Sequence, residues 1–369
     1  MQGAAYTLLL GMAPAPAPLV EAVQEITVDC SVEEASVLRV RFAITKSEIG
    51  DWSILELDPF RPLLPLGLRI QHGIGVPEAV INGFVSDHRV AYADDPGGSS
   101  LEVTAMDATH VMNMMEKVML WPNMPDAAIA SAIFGQYAVV PQVDPTTPVL
   151  VEPEGQTTQR GTDIRFLRRL ARRNGFDCYV QPEPFSGLDI GHFHKRGLFG
   201  MPQAVLSVSF GGDTNVSNFN VRYEATKPTA AIAVQLDTLT KTPQPGPAPA
   251  SLLQPLGIEP TLLREVPPAI ALPVGTGVVH AGDLQAAAQG IVDRSTWAVT
   301  CEGVVGEDVG ILRPGGLVAV RGAGRVHNGY WYVTRVRHTI GAGRHEQRFE
   351  AQRNAVTETG AEIYLEIPA

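Results

Sequence analysis

His192 and His194 stand one residue apart, a spacing that on a strand turns both imidazoles to one side, as two metal ligands would be. No third ligand follows at zinc spacing and the neighbours are glycine-rich, so the pair reads as loop histidines. Met112, Met114, Met115, Met119 and Met124 could offer soft thioethers to copper, but core filling or a partner-facing surface suits an adaptable side chain better. Gly73-x-Gly75 and Gly322-x-Gly324 resemble fragments of phosphate-binding loops. Neither continues to G-x-x-G or G-K-[ST] and a helix, so both read as hairpin glycines. Glu56 and Asp58 could pair as acid and base, yet nothing separates them from surface charges. A nucleophile elbow and an H-E-x-x-H helix are both missing. The expectation is a protein that is not an enzyme, with no catalytic residue, cofactor, metal or small-molecule substrate.

Charge says more. Between Ile311 and Asn354 there are eight Arg and two Glu with no Asp or Lys, a surplus of six positive charges in a chain whose formal net charge is −11. A second basic face lies on a predicted helix from Ile164 to Arg173. At 100° per residue, Ile164, Phe166, Leu167, Leu170 and Ala171 fall on one side and Arg165, Arg168, Arg169, Arg172 and Arg173 on the other. Exclusive use of Arg favours planar hydrogen bonding to carboxylates or carbonyls. These five residues, with Arg321, Arg325, Arg335 and Arg337, are the candidate contacts with other subunits or partners. Binding of a nucleic-acid backbone is the competing explanation, and the net negative charge speaks against it.

The elements that must carry these residues divide the chain. Leu38, Val40, Phe42 and Ile44 alternate with Arg39, Arg41 and Ala43, the pattern of a half-buried strand. Further strands are predicted at 68–71, 82–90 and 101–106. Helical spacing of Met112, Met115 and Met119, a helix from Asp126 to Tyr137 and the arginine helix follow, the last ended by Asn174-Gly175. Strand-like runs resume near Val205. Pro243-Gln-Pro-Gly-Pro-Ala-Pro is expected to stay out of any ladder. Leu284, Ala288 and Ile291 mark a helix, and strands close the chain, with Phe349 and Ala351 facing inward.

The predicted organisation is α+β, mostly β. An N-terminal tail (1–24), a first β-barrel domain (25–108) and an α+β domain (109–204) precede the start of a second β-domain (205–242). A Pro-rich connection (243–282) and a helix plus strands (283–369) complete the second barrel. With 45% hydrophobic and 18% charged residues, the composition is globular. Cys30, Cys178 and Cys301, far apart and odd in number, point to packed thiols rather than a disulfide framework. The apolar run Tyr6–Met12 lacks a positive n-region and is too short to span a bilayer. Cytosolic synthesis without a signal peptide, and no stable membrane insertion, are expected.

One pattern occurs twice. Pro65, Gly67, Leu68, Gly73 and Asn82-Gly83-Phe84 are matched by Pro314, Gly316, Leu317, Gly322 and Asn328-Gly329-Tyr330. Asn-Gly between apolar runs favours a type I′ hairpin turn, so each copy reads as strand, turn, strand. A duplicated β-module with other material inserted between the copies is implied.

Leu312–Val320, Gly329–His338 and Phe349–Asn354 resemble the end of the hub proteins of contractile tails. These are the phage late control protein D family and the hub half of the valine-glycine-repeat G proteins of type VI secretion. The steps Met106–His110 and Thr162–Phe176 are also similar to that family. The resemblance runs from about residue 25 to 355 and rests on order and spacing, since no single motif is catalytic. It implies a structural baseplate hub of a phage tail or phage-like contractile injection system. Such a hub is a homotrimer whose two barrels per subunit join a sixfold tail tube to a threefold spike. Expected partners are the tail tube protein, a spike carried on a separate polypeptide, because no needle follows Asn354, and other baseplate proteins. Nucleic acid would enter only as passing cargo. A tail-associated cell-wall hydrolase and a β-barrel nucleic-acid binder are the alternative functions.

Overall fold

A computed structural model of the chain describes residues 5–46, 50–55, 59–95, 97–146, 157–198, 200–236, 241–248, 250–264, 269–271, 281–341 and 343–364. Glu56 and Asp58 lie outside the described residues. The first β-module contains β1 (Ala5–Leu10), β2 (Ala13–Pro14), helix α1 (Ala17–Glu21), β3 (Val23–Ser31), β4 (Val37–Ala43), β5 (Pro65–Gln71), β6 (Glu78–Ala91) and β7 (Ser100–Met106). Alternation sets its faces: in β4, Leu38, Val40 and Phe42 are fully buried while Arg39 and Arg41 are exposed. The expected N-terminal tail is part of the module. Its apolar run, too short for a membrane, is long enough for β1, which pairs with β5 and buries Leu8.

The middle of the chain supplies α2 (Ala108–Val111), β8 (Glu116–Trp121), α3 (Asp126–Gln136), β9 (Val140–Val143), β10 (Thr157–Thr162), α4 (Asp163–Asn174), β11 (Asp177–Pro182) and β12 (Asp189–His194). The arginine helix α4 forms as its periodicity predicts, burying Ile164, Phe166, Leu167, Leu170 and Ala171 and ending at Gly175 with φ 70°. The methionine run does not form a helix beyond α2. From Glu116 the exposure pattern has period two, and β10 supplies the ladder partner that makes this stretch a strand. Of those methionines, Met112 is fully buried whereas Met114 and Met115 are exposed.

The second β-module follows: β13 (Ala204–Ser207), β14 (Val216–Tyr223), β15 (Thr229–Leu236), β16 (Pro243–Ala248), β17 (Glu259–Pro260), α5 (Thr261–Arg264), β18 (Ala269–Ala271), α6 (Ala281–Ser295), β19 (Val299–Val305), β20 (Leu317–Arg321), β21 (Gly329–Gly341), β22 (Arg344–Arg353) and β23 (Ala355–Val356). The proline run does enter a ladder. Pro243, Pro245 and Pro247 alternate with Gln244, Gly246 and Ala248 along β16, the outer strand of a three-stranded sheet paired with β15. Prolines at every second position can all turn their donorless nitrogens to the open edge, which leaves the intervening amides to bond β15.

The two modules share a strand order. Neighbouring strands run β1-β5-β6-β7-β4-β3 in the first and β13-β20-β21-β22-β19-β14 in the second. A bulge recurs at the same place, between Val85 and Asp87 on β6 and between Val333 and Arg335 on β21. In each, the extra residue's hydroxyl, that of Ser86 or Thr334, donates to a carbonyl of the next strand at 3.2 Å. The modules are joined by antiparallel pairing of β3 with β21, so the strands form one continuous 13-stranded sheet rather than two closed barrels.

The duplication stands, but the Asn-Gly pairs are not its hairpin turns. Asn82 and Gly83 lie inside β6, paired with Gly67 and Leu66, while the turn is made further out, around Gly73 with φ 54°. Asn82 instead donates from Nδ2 to the Gly187 carbonyl at 2.7 Å and to Asp189 at 2.9 Å. In the second copy, Asn328 and Gly329 end the turn that holds Gly322 and Gly324 at positive φ. Superimposing the bulges sets Phe84 on Tyr332 rather than Tyr330, two residues from the motif match. A Cβ on Gly83 would lie 2.9 Å from Ala105 Cβ, so this glycine serves close strand packing. Gly83→Val should lower stability by about 1–3 kcal/mol by overpacking, read as a lower urea midpoint with an unchanged slope.

Candidate functional site

Charged and titratable side chains converge on the seam where the second module pairs with the first. Arg337 stands directly opposite Asp29 in the β21–β3 register, and Arg335 is its diagonal neighbour. Arg335 grips Asp29 with both edges of its fork, Nε to Oδ1 at 2.7 Å and Nη2 to Oδ2 at 2.7 Å, and Arg337 Nη2 adds a third contact at 2.7 Å. Burial pushes the Asp29 carboxyl up, but the two guanidiniums outweigh it and hold the group below its ordinary value. Arg313 makes a further link, Nη1 to the Ala79 carbonyl at 2.8 Å and Nη2 to Glu78 at 2.9 Å.

Behind this ion cluster three imidazoles form a chain. His72 Nε2 lies 2.8 Å from His345 Nδ1, and His345 Nε2 lies 3.1 Å from His338 Nδ1. The first belongs to the first module and the other two to the second. Each contact needs one proton between its two nitrogens, so the chain stays bonded with neutral rings and with one added proton, whereas two added protons would set two donors face to face. Burial and the neighbouring imidazole push His345 down to about 3 and His338 well below the usual histidine value. Burial lowers His72 as well, against the opposing pull of Glu307, Glu78 and Asp308.

The nine arginines singled out in the sequence do not form one surface. Arg335 and Arg337 serve the seam. Arg321 donates to Ser207 Oγ at 2.7 Å and lies over the Phe210 ring. Arg173 is bound to Asp126, and Arg169 lies over Phe166. Arg165 is exposed and 3.8 Å from Glu116, and Arg172 and Arg325 are exposed too. Arg168 lines a cleft with Arg172, Arg196 and Arg294, where Arg196 pairs with Asp177 at 3.0 Å and stacks between Trp297 and Tyr332. Neither the acid at Asp29 nor the imidazole chain was visible in the sequence, because their members are brought together from distant strands.

The metal-like pair has a different use. His192 Nδ1 is 3.0 Å from His194 Nε2, and His192 stacks on Tyr179 with ring centroids 4.4 Å apart. Burial and His194 lower His192 to about 3. Among the described residues no three His, Cys, Asp or Glu are placed to hold a metal ion. Cys30, Cys178 and Cys301 are free and buried, each in a different core, and burial pushes the first two up to about 12.

No protein-family model matches the chain, and no curated protein matches its sequence. Solved structures do match the fold. A tail protein from Neisseria meningitidis MC58 superimposes with a TM-score of 0.66 at 13% identity, over 95% of this chain and 97% of that one. The 43 kDa tail protein of prophage MuSo2 from Shewanella oneidensis gives 0.66 at 13% identity, over 96% and 99%. The E. coli c3393 protein, a component of the type VI secretion system similar in structure to T4 tail proteins gp27 and gp5, gives 0.56 at 12%, over 98% and 79%. At such identities the likeness is one of fold: this chain has the mostly β architecture of these tail proteins.

Two tests follow from the seam. Asp29→Asn removes the charge and sets an amide N–H against the guanidiniums in place of one acceptor oxygen, and should cost about 1–3 kcal/mol of stability, seen as a lower midpoint in urea at pH 7. The depressed histidines make the folded state bind fewer protons than the unfolded chain, whose imidazoles titrate near 6.5. Their contribution is complete above that pH and is lost as the pH falls towards 3. Melting temperature should therefore drop between pH 7 and pH 5, and His345→Gln should flatten that slope.

Proposed function

We propose that this protein is a non-enzymatic structural component of a contractile phage tail or a phage-like injection system, and that it acts as the hub where tube meets spike. The observation that carries the reading is the repeated six-strand order within one chain. A trimer of such chains would present six nearly equivalent modules, enough to seat a sixfold tube on a threefold spike. Support comes from the fold shared over nearly the whole chain with two tail proteins and with a type VI secretion component.

On this reading the partners are two further copies of the chain, a tail tube protein, a spike protein and neighbouring baseplate proteins. The assembled site is a virion tail or an injection particle, with nucleic acid only as passing cargo. The exposed arginines Arg165, Arg169, Arg172 and Arg325 are the candidates for contact with such partners. In light scattering, purified protein should show about three times the 39.5 kDa chain mass, and negative-stain images should show rings that bind the cognate tube. A monomer at every concentration that ignores the tube protein would sink the proposal.

A further inference from the structure

The seam joins the last strand of the first module, β3, to the far half of β21. The repeat supplies a second copy of each half of that joint. β14 occupies in the second module the place of β3, and it ends the sheet with β19 as its one strand partner among the described residues. The segment Asp87–Ala91 of β6 occupies the place of the far half of β21. It pairs with β7 on one side, and its other edge carries no described strand. One chain therefore has one seam made and the two halves of another left open, at opposite ends of the repeat.

We infer that β14 of one subunit pairs antiparallel with the far half of β6 in a second copy of the chain, repeating the internal seam between subunits. This rests on the ring reading above and names the surface that would make the ring. Superimposing bulges and ladders sets Asp87 on Arg335, Arg89 on Arg337, and Arg222 on Asp29. The internal ion pair of Arg335 with Asp29 thus becomes Asp87 with Arg222, its charges exchanged. Arg222 is 78% exposed and reaches Glu224 only at 3.6 Å, and Asp87 is exposed. Arg89 falls opposite Arg222 and Asp87 opposite Glu224, and the two diagonals, Asp87 with Arg222 and Arg89 with Glu224, offset those like-charge pairs.

The inner face matches as well. In the seam Cys30, Val28 and Ile26 oppose Val336, His338 and Ile340, all buried. The corresponding pairs between subunits are Tyr223 with His88, Val221 with Val90, and Phe219 with Tyr92. Phe219, Val221 and Tyr223 are half-buried in the single chain, and Tyr92 is 64% exposed. A strand edge of this kind invites pairing unless it is blocked, and ladder bonds to another copy give affinity while the alternating side chains give register. Because the contact is head to tail, it closes into a ring or runs on as a filament.

Cross-linking tests the contact directly. Asn220 and Ala91 fall opposite each other, both exposed in the single chain. A chain carrying Asn220→Cys and Ala91→Cys should give disulfide-linked oligomers up to trimer on non-reducing gels after mild oxidation, while either single variant gives none. The three native thiols are buried and do not compete. As a second measure, Asp87→Arg, which gathers three guanidiniums at one point, should weaken self-association about tenfold or more in sedimentation, and adding Arg222→Asp, which rebuilds the seam's carboxylate between two arginines, should restore it. A stable trimer that neither cross-links nor responds to these changes overturns the pairing and leaves the hub reading standing. A monomer with unchanged fold at every concentration removes both.

Discussion

Six residue pairs between β3 and β21 decide the architecture, since they alone make one sheet of two modules. Strand pairing is generic, so something must select this partner and this register over a slip. Asp29 does so. A carboxylate withdrawn from water on the outer face of β3 is tolerable only where two guanidiniums meet it. A one-residue slip would carry Arg335 and Arg337 to the core side and leave Asp29 unpaired. Arginine suits the task because its fork spans both oxygens at fixed spacing, which a lysine ammonium would not do. On the inner face the linked imidazoles play the same part, for their hydrogen bonds are made only when His72 of one module reaches His345 of the other.

How much of this was legible in the sequence depends on how local each signal was. α4 was readable because a single helix carries both its apolar stripe and its stop at Gly175. β4 and β22 were readable because alternation over a whole strand admits one interpretation. The stretch after α2 misled because methionines three or four apart satisfy a helical template while the residues between them follow a strand, and pairing with β10 arbitrated. β16 misled because proline was counted without its period. β1 was missed because an apolar run without alternation has no visible partner until β5 is placed beside it.

The repeat shows the same limit more sharply. The matched residues pointed to a real duplication, yet aligning them as letters places the two copies two residues out of register. Asn82 and Gly83 are turn residues by type, but a strand interior also selects glycine where a neighbouring strand crowds it, here at the Ala105 Cβ. The feature that survives in both modules is the bulge with its hydroxyl bonded across to the next strand. Serine and threonine are too common to mark it in a sequence, and only the ladder register exposes it.

The arginine surplus of the C-terminal segment illustrates why charge maps drawn along a chain mislead about partners. Arg313, Arg335 and Arg337 find acids at Glu78 and Asp29, far away in sequence and adjacent in space. Arg353, fully buried, donates to the carbonyls of Asn328 and Leu256, lies over Trp331 and feels the charges of Glu362 and Glu358 in its own module. Three of the eight arginines in this segment are thus the second module's half of an internal ion-pair set whose acids sit in the first. A duplicated fold needs such a division, because two modules of one kind attract each other in a single orientation only if their contact surfaces differ in sign. Opposite charge on the two halves of the chain therefore helps to select the strand contact that joins them, in a chain that as a whole remains net acidic.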